Sequence, residues 1–71
     1  MTDFGLLRRR IVESGMTMVA IAKKAGFTRE TLYNRLNGKG EFSASEMVSL
    51  SRVLNLSNKD RDAIFFADAV E

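Results

Sequence analysis

Cysteine, histidine and proline are all absent from the chain, and each absence closes off a class of chemistry or architecture. Without cysteine there is neither a disulfide framework nor a thiolate metal site. Without histidine the commonest metal ligand and the commonest acid–base group near neutral pH are missing, so an enzyme is not expected. No cofactor, metal or small-molecule ligand is expected either. Long apolar runs are lacking too, and nothing approaches the ~20 residues of a membrane span. The opening "DFGLLRRRIVESG" has no apolar signal-peptide segment and no small-residue cleavage site, so a cytoplasmic protein with no membrane partner is expected. A chain of 71 residues makes one small domain, 1–71. Its core is marginal, since domains near 60 residues bury only roughly 60% of their unfolded surface.

What is present is unevenly placed. Residues 1–40 hold eight Lys/Arg against Asp3, Glu13 and Glu30, a net +5, whereas residues 41–71 hold three against six acidic residues, a net −3. One half is thus suited to face a polyanion while the other turns away, although scatter in a short chain would give the same count.

The apolar period is helical nearly throughout. Phe4, Leu7 and Ile11 recur at i, i+3, i+7, predicting a first helix over about Asp3–Ser14 that Gly15 ends. Thr17 is an N-cap candidate for a second helix, "MVAIAKKA", and Thr28 for a third, which Asn37-Gly38 stops. Ser43 and Glu46 have capping-box spacing before a fourth helix with Met47, Leu50, Val53 and Leu54 on one face. Ser57 and Asp60 repeat that signal for a short fifth. The fold class is therefore all-α. The tail "AIFFADAVE", about 64–71, is open to an extended conformation. "GKG" at 38–40 is no nucleotide loop: a P-loop glycine would fall at Tyr33, its Ser/Thr at Gly40, and no strand precedes it.

Two short helices joined by a tight turn containing Gly26, with Ala22 where the backbones must approach, have the makings of a helix–turn–helix. Ile21 and Leu32 are expected to pack between them. The pattern Ile21-Ala22-x-x-x-Gly26-x-Thr28-x-x-x-Leu32, followed by Asn37-Gly38-Lys39, resembles the phage repressor/Cro (XRE-like) family of DNA-binding domains over about residues 4–56. The "IFFADAV" ending is similar to that of small Cro-like regulators of phages and prophages of Gram-positive bacteria. The resemblance implies a five-helix, lambda-repressor-like domain with its motif at about 17–37. It also implies that the third helix enters the major groove and reads base edges.

On a wheel at ~100° per residue Leu32 and Leu36 lie together, while Glu30 and Asn34 point away from them. The expected base-reading residues are Thr28, Arg29, Glu30, Thr31 and Asn34. Arginine suits guanine, asparagine adenine, and a carboxylate that only accepts suits the cytosine amino group. Glu30 and Asn34 also fit a plain solvated face, with Glu30 paired to Arg29 or Arg35. The expected backbone contacts are Thr17, Met18, Tyr33, Arg35, Asn37, Lys39 and Arg10. Tyr33 can stack on sugar–phosphate or cover Leu36. Two positions depart from the family pattern: Met18 stands where many members have Gln, and Arg35 where many have their last apolar residue.

One motif reads only a few base pairs, so a homodimer on an inverted-repeat operator in double-stranded DNA is expected, with half-sites one turn apart. Ile64, Phe65, Phe66 and Val70 are the candidate interface, or else they close the domain's own base. The implied function is a sequence-specific transcriptional regulator. The alternative is a helical protein-interaction module, antitoxin- or anti-repressor-like, with a weakened DNA-reading face.

Overall fold

Every helix begins at a side-chain oxygen that closes its first turn. In the computed structural model, which describes residues 1–68, the five helices are α1 (Phe4–Glu13), α2 (Met18–Ala25), α3 (Arg29–Leu36), α4 (Ala44–Val53) and α5 (Asn58–Phe65). Asp3 accepts from the Leu6 amide, Thr17 from Ala20, Thr28 from Thr31, Ser43 from Glu46 and Ser57 from Asp60. Each cap satisfies a donor that the helix cannot. At α4 the box is complete, because the Ser43 amide donates back to Glu46 Oε1 at 2.8 Å. No strand occurs among the described residues, so the all-α, five-helix expectation holds.

The turn between α2 and α3 is made by Gly26 in the left-handed conformation, φ 84°, which a side chain would disfavour. The Phe27 amide then donates to Ala22 O at 2.8 Å and the Gly26 amide to Lys23 O. These are the two bonds of a Schellman stop, and Phe27 is turned back against the core. The same pair of bonds ends α3, from Gly38 to Arg35 O and from Lys39 to Asn34 O.

Each helix sends one side chain to the centre. Leu7, Ile21, Leu32, Leu50 and Ile64 are each 0% exposed, so a single apolar nucleus is shared by all five elements. Around it lie Ile11, Ala22, Ala25, Leu36, Phe42, Leu54 and Phe65, with Phe42 and Phe65 edge to face at 5.5 Å. The Asp3 amide donates to Ile64 O at 2.7 Å, joining the start of α1 to the end of α5.

The tail departs from expectation. Its first two residues are helical, because the Ser57 cap carries α5 through Phe65. Ile64 and Phe65 are core residues, 0% and 3% exposed. They are therefore not available to a partner, which corrects their assignment to an interface. Adjacent side chains on a helix diverge by about 100°, and the second of them, Phe65, packs edge to face on Phe42. Phe66, just past the helix, stays 43% exposed. Val70 lies outside the described residues.

Candidate nucleic-acid interface

The geometry of α2 and α3 follows from three inward residues. Ala22 is 1% exposed, and Ile21 and Leu32 are fully buried. A methyl at 22 lets the two backbones approach while the larger pair fills the angle between them. With Leu32 and Leu36 turned inward, everything else on α3 is left for solvent or a ligand. Arg29, Glu30 and Tyr33 are exposed, and Thr31 and Asn34 half-buried.

The outward face is chemically unspent. Among the described residues, Arg29, Glu30, Tyr33 and Asn34 make no side-chain hydrogen bond and no ion pair. Glu30 is paired with neither Arg29 nor Arg35. Thr28 and Thr31 are partly committed: Thr28 Oγ1 accepts from the Thr31 amide at 3.0 Å and donates to Thr31 Oγ1 at 2.9 Å. That arrangement leaves the Thr31 hydroxyl proton and methyl group free.

The expected backbone contacts divide into free and engaged groups. At the start of α2, Thr17 Oγ1 takes the Ala20 amide at 3.1 Å, leaving the amides of Met18 and Val19 at a positive helix end. Met18 itself is half-buried against the core, so its side chain serves packing. Lys39 is exposed and its ammonium is unpaired among the described residues. Arg10 is not free: it lies 3.0 Å from Asp60 Oδ2 and 3.7 Å from Glu13. That guanidinium, with help from the Ser57 hydroxyl, holds the Asp60 carboxyl below the usual aspartate range. Arg35 turns toward α4, 3.5 Å from Glu46 Oε1. Asn37 Oδ1 accepts from Arg8 at 2.8 Å.

Three residues at this site escape sequence reasoning. Arg8 donates to Leu36 O at 3.2 Å as well as to Asn37, placing a cation at the negative end of α3. Glu46 and Gly40 receive Arg35, the latter so closely that a Cβ there would sit 2.6 Å from the guanidinium. The Arg8 contact spans 28 positions, and no local pattern announces it. The signal for the Arg35 cluster is the charge at a position where the resemblance leads one to expect an apolar residue.

A protein-family model described as "Helix-turn-helix" matches residues 6–57, from the first turn of α1 to the cap of α5. No curated protein and no solved structure matches the chain.

Proposed function

The chain belongs to the helix–turn–helix family of DNA-binding regulators, and from this premise we propose that it is a repressor/Cro-type regulator that reads operator half-sites through α3 as a homodimer. One observation carries the reading. On α3 the side chains of Arg29, Glu30, Tyr33 and Asn34 are unpaired among the described residues, while Arg35 on the same helix and Arg8 and Arg10 on α1 are tied to acceptors within the protein.

The major groove, about 12 Å wide, admits a helix. Arg29, at the first turn of α3, is suited to donate two hydrogen bonds to guanine O6 and N7. Asn34 matches adenine N6 and N7, and Glu30 accepts from a cytosine amino group. Thr28 borders this face, and Thr31 offers a methyl to thymine or a hydroxyl to phosphate. Glu30 also disfavours any docking that brings it against a phosphate, so it filters register. Thr17 with the first amides of α2, and Lys39 beyond α3, grip the backbone. Tyr33 lies along the sugar–phosphate edge. For the dimer, Phe66 is the exposed aromatic. It lines an apolar groove with Phe4, Phe42 and Met47, and Val70 extends the same stretch of sequence.

The test is selection of bound duplexes from a random pool at near-physiological salt. The expected outcome is an enriched inverted repeat with half-sites about one turn, roughly 34 Å, apart. Arg29→Ala should then relax one base pair at a cost of ~1–3 kcal/mol, whereas Lys39→Ala should weaken all sequences alike. An unenriched pool from folded protein would overturn the reading in favour of a protein-interaction module. Equal losses on every sequence for both variants would remove Arg29 as a reader.

A further inference from the structure

An arginine stands at the position of α3 where the repressor/Cro pattern leads one to expect an apolar residue, and it lies between the loop that follows α3 and the start of α4. Arg35 Nε is buried and lies 3.5 Å from Glu46 Oε1, too poorly aligned for a hydrogen bond. Its Nη1 donates to Lys39 O at 3.4 Å. Gly40 sits directly against the guanidinium, where any Cβ would come within 2.6 Å of Nη1. The carboxylate is itself held, since Glu46 Oε1 accepts the Ser43 amide at 2.8 Å in the capping box of α4. From the other side the Lys39 amide donates to Asn34 O at 2.8 Å. Lys39 is thus fixed at both its amide and its carbonyl, between the end of α3 and the start of α4.

We infer that Arg35 is a positioning residue: it clamps the loop 38–40 to α4 and so presets the phosphate contact of Lys39. The inference rests on the reading of α3 as the DNA-reading helix, and it changes the role of Arg35 within that reading. Arg35 does not touch phosphate itself, because its charge faces Glu46. Its effect is to spare the loop the ordering cost that binding would otherwise exact. Stability alone is a poor reason for the residue. A buried guanidinium nitrogen without a hydrogen bond is a penalty that an apolar side chain avoids.

Those two statements make opposite demands on one substitution. Arg35→Leu in the full chain should keep or raise the urea midpoint. It should speed exchange of the Lys39 amide about tenfold, as the loop opens locally. Binding to a selected operator and to an unrelated duplex should both weaken about five- to tenfold at an unchanged log–log salt slope, because Lys39 still meets its phosphate in the complex. A slope lower by about 1 would mean that Arg35 itself contacts phosphate and would overturn its positioning role. Arg35→Lys should restore little, since one ammonium cannot meet Glu46 and Lys39 O together. Should Arg35→Leu fail to fold, Glu46→Gln carries the same expectations for exchange and binding, though with a lower urea midpoint because the guanidinium loses its counter-charge. It keeps the acceptor for the Ser43 amide and removes the charge that holds the guanidinium. Wild-type affinity and exchange in these variants would overturn this inference alone. Wild-type protein that binds neither duplex at low salt would overturn the DNA reading and this inference with it.

Discussion

Ser51 carries a hydroxyl oxygen that is buried and meets no partner. Its backbone is well used, accepting the Leu56 amide at 2.8 Å, so the defect is confined to one side-chain atom. Removing that atom relieves an unsatisfied buried group and improves helix propensity inside α4. Ser51→Ala should therefore raise stability by about 0.5–1 kcal/mol, read as a higher urea midpoint at unchanged m-value. A lower midpoint would mean that a bound water satisfies the hydroxyl. The contrast with α3 is informative. Arg29 and Asn34 are also unpaired, but they face solvent, where an unmade hydrogen bond costs nothing and stays available to a ligand.

At the scale of elements, the boundaries of the helices were legible because what sets them is local. All five caps lie within three residues of the amide they accept, and Thr17, Thr28, Ser43 and Ser57 are visible as side-chain types in the right place. The inward edge of α3 was equally legible, since Leu32 and Leu36 are its only aliphatic residues. The ties between elements were not. Arg8 to Asn37, Arg10 to Asp60 and Arg35 to Glu46 join positions 29, 50 and 11 apart, distances over which pattern carries no information. The tail failed for a related reason. Its sequence leaves an extended conformation open, in which Phe65 and Phe66 would point oppositely, and one-in, one-out also arises where a helix ends between two residues.

The clasp between α1 and α5 has a consequence in acid. Arg10 depresses the Asp60 pKa by hydrogen bonding, aided by the Ser57 hydroxyl. A carboxylate whose folded pKa lies below its unfolded value adds stability above the usual aspartate range, and that increment disappears as pH falls through the folded value. Asp60→Asn should lower the melting midpoint at neutral pH. The gap from wild type should close as pH drops below the normal aspartate range, as followed by circular dichroism from pH 7 to 2. A constant gap would show that the loss is packing rather than charge. The Asp60 side chain is 41% exposed, so the effect should be small and should shrink in high salt.

Taken as one object, the protein leaves Phe66 as the exposed aromatic of a tail whose neighbours have gone to the core. In sedimentation equilibrium the wild-type chain should have the mass of a dimer, and Phe66→Asp should shift it toward monomer with its helical signal intact. Wild-type protein sedimenting as a monomer at tens of micromolar would rule the homodimer out. A fall in melting temperature without change of mass would place Phe66 in the domain's own base. Charge works at the same scale. The +5 half contains α2, α3 and Lys39, and the −3 half contains α4 and α5, so attraction to a duplex is concentrated on the chain segment that carries the reading helix.

The nucleus shared by Leu7, Ile21, Leu32, Leu50 and Ile64 bears finally on how long such a molecule lasts. With one fully buried residue from each helix, no helix can leave without opening the centre for the rest. Local openings that expose a cleavable segment should then cost nearly as much as complete unfolding. A protease in the cell would meet the chain chiefly in its globally unfolded form. Half-life and occupancy of DNA would then draw on the same equilibrium, and a core substitution that halves the folded population would also shorten the lifetime of every copy.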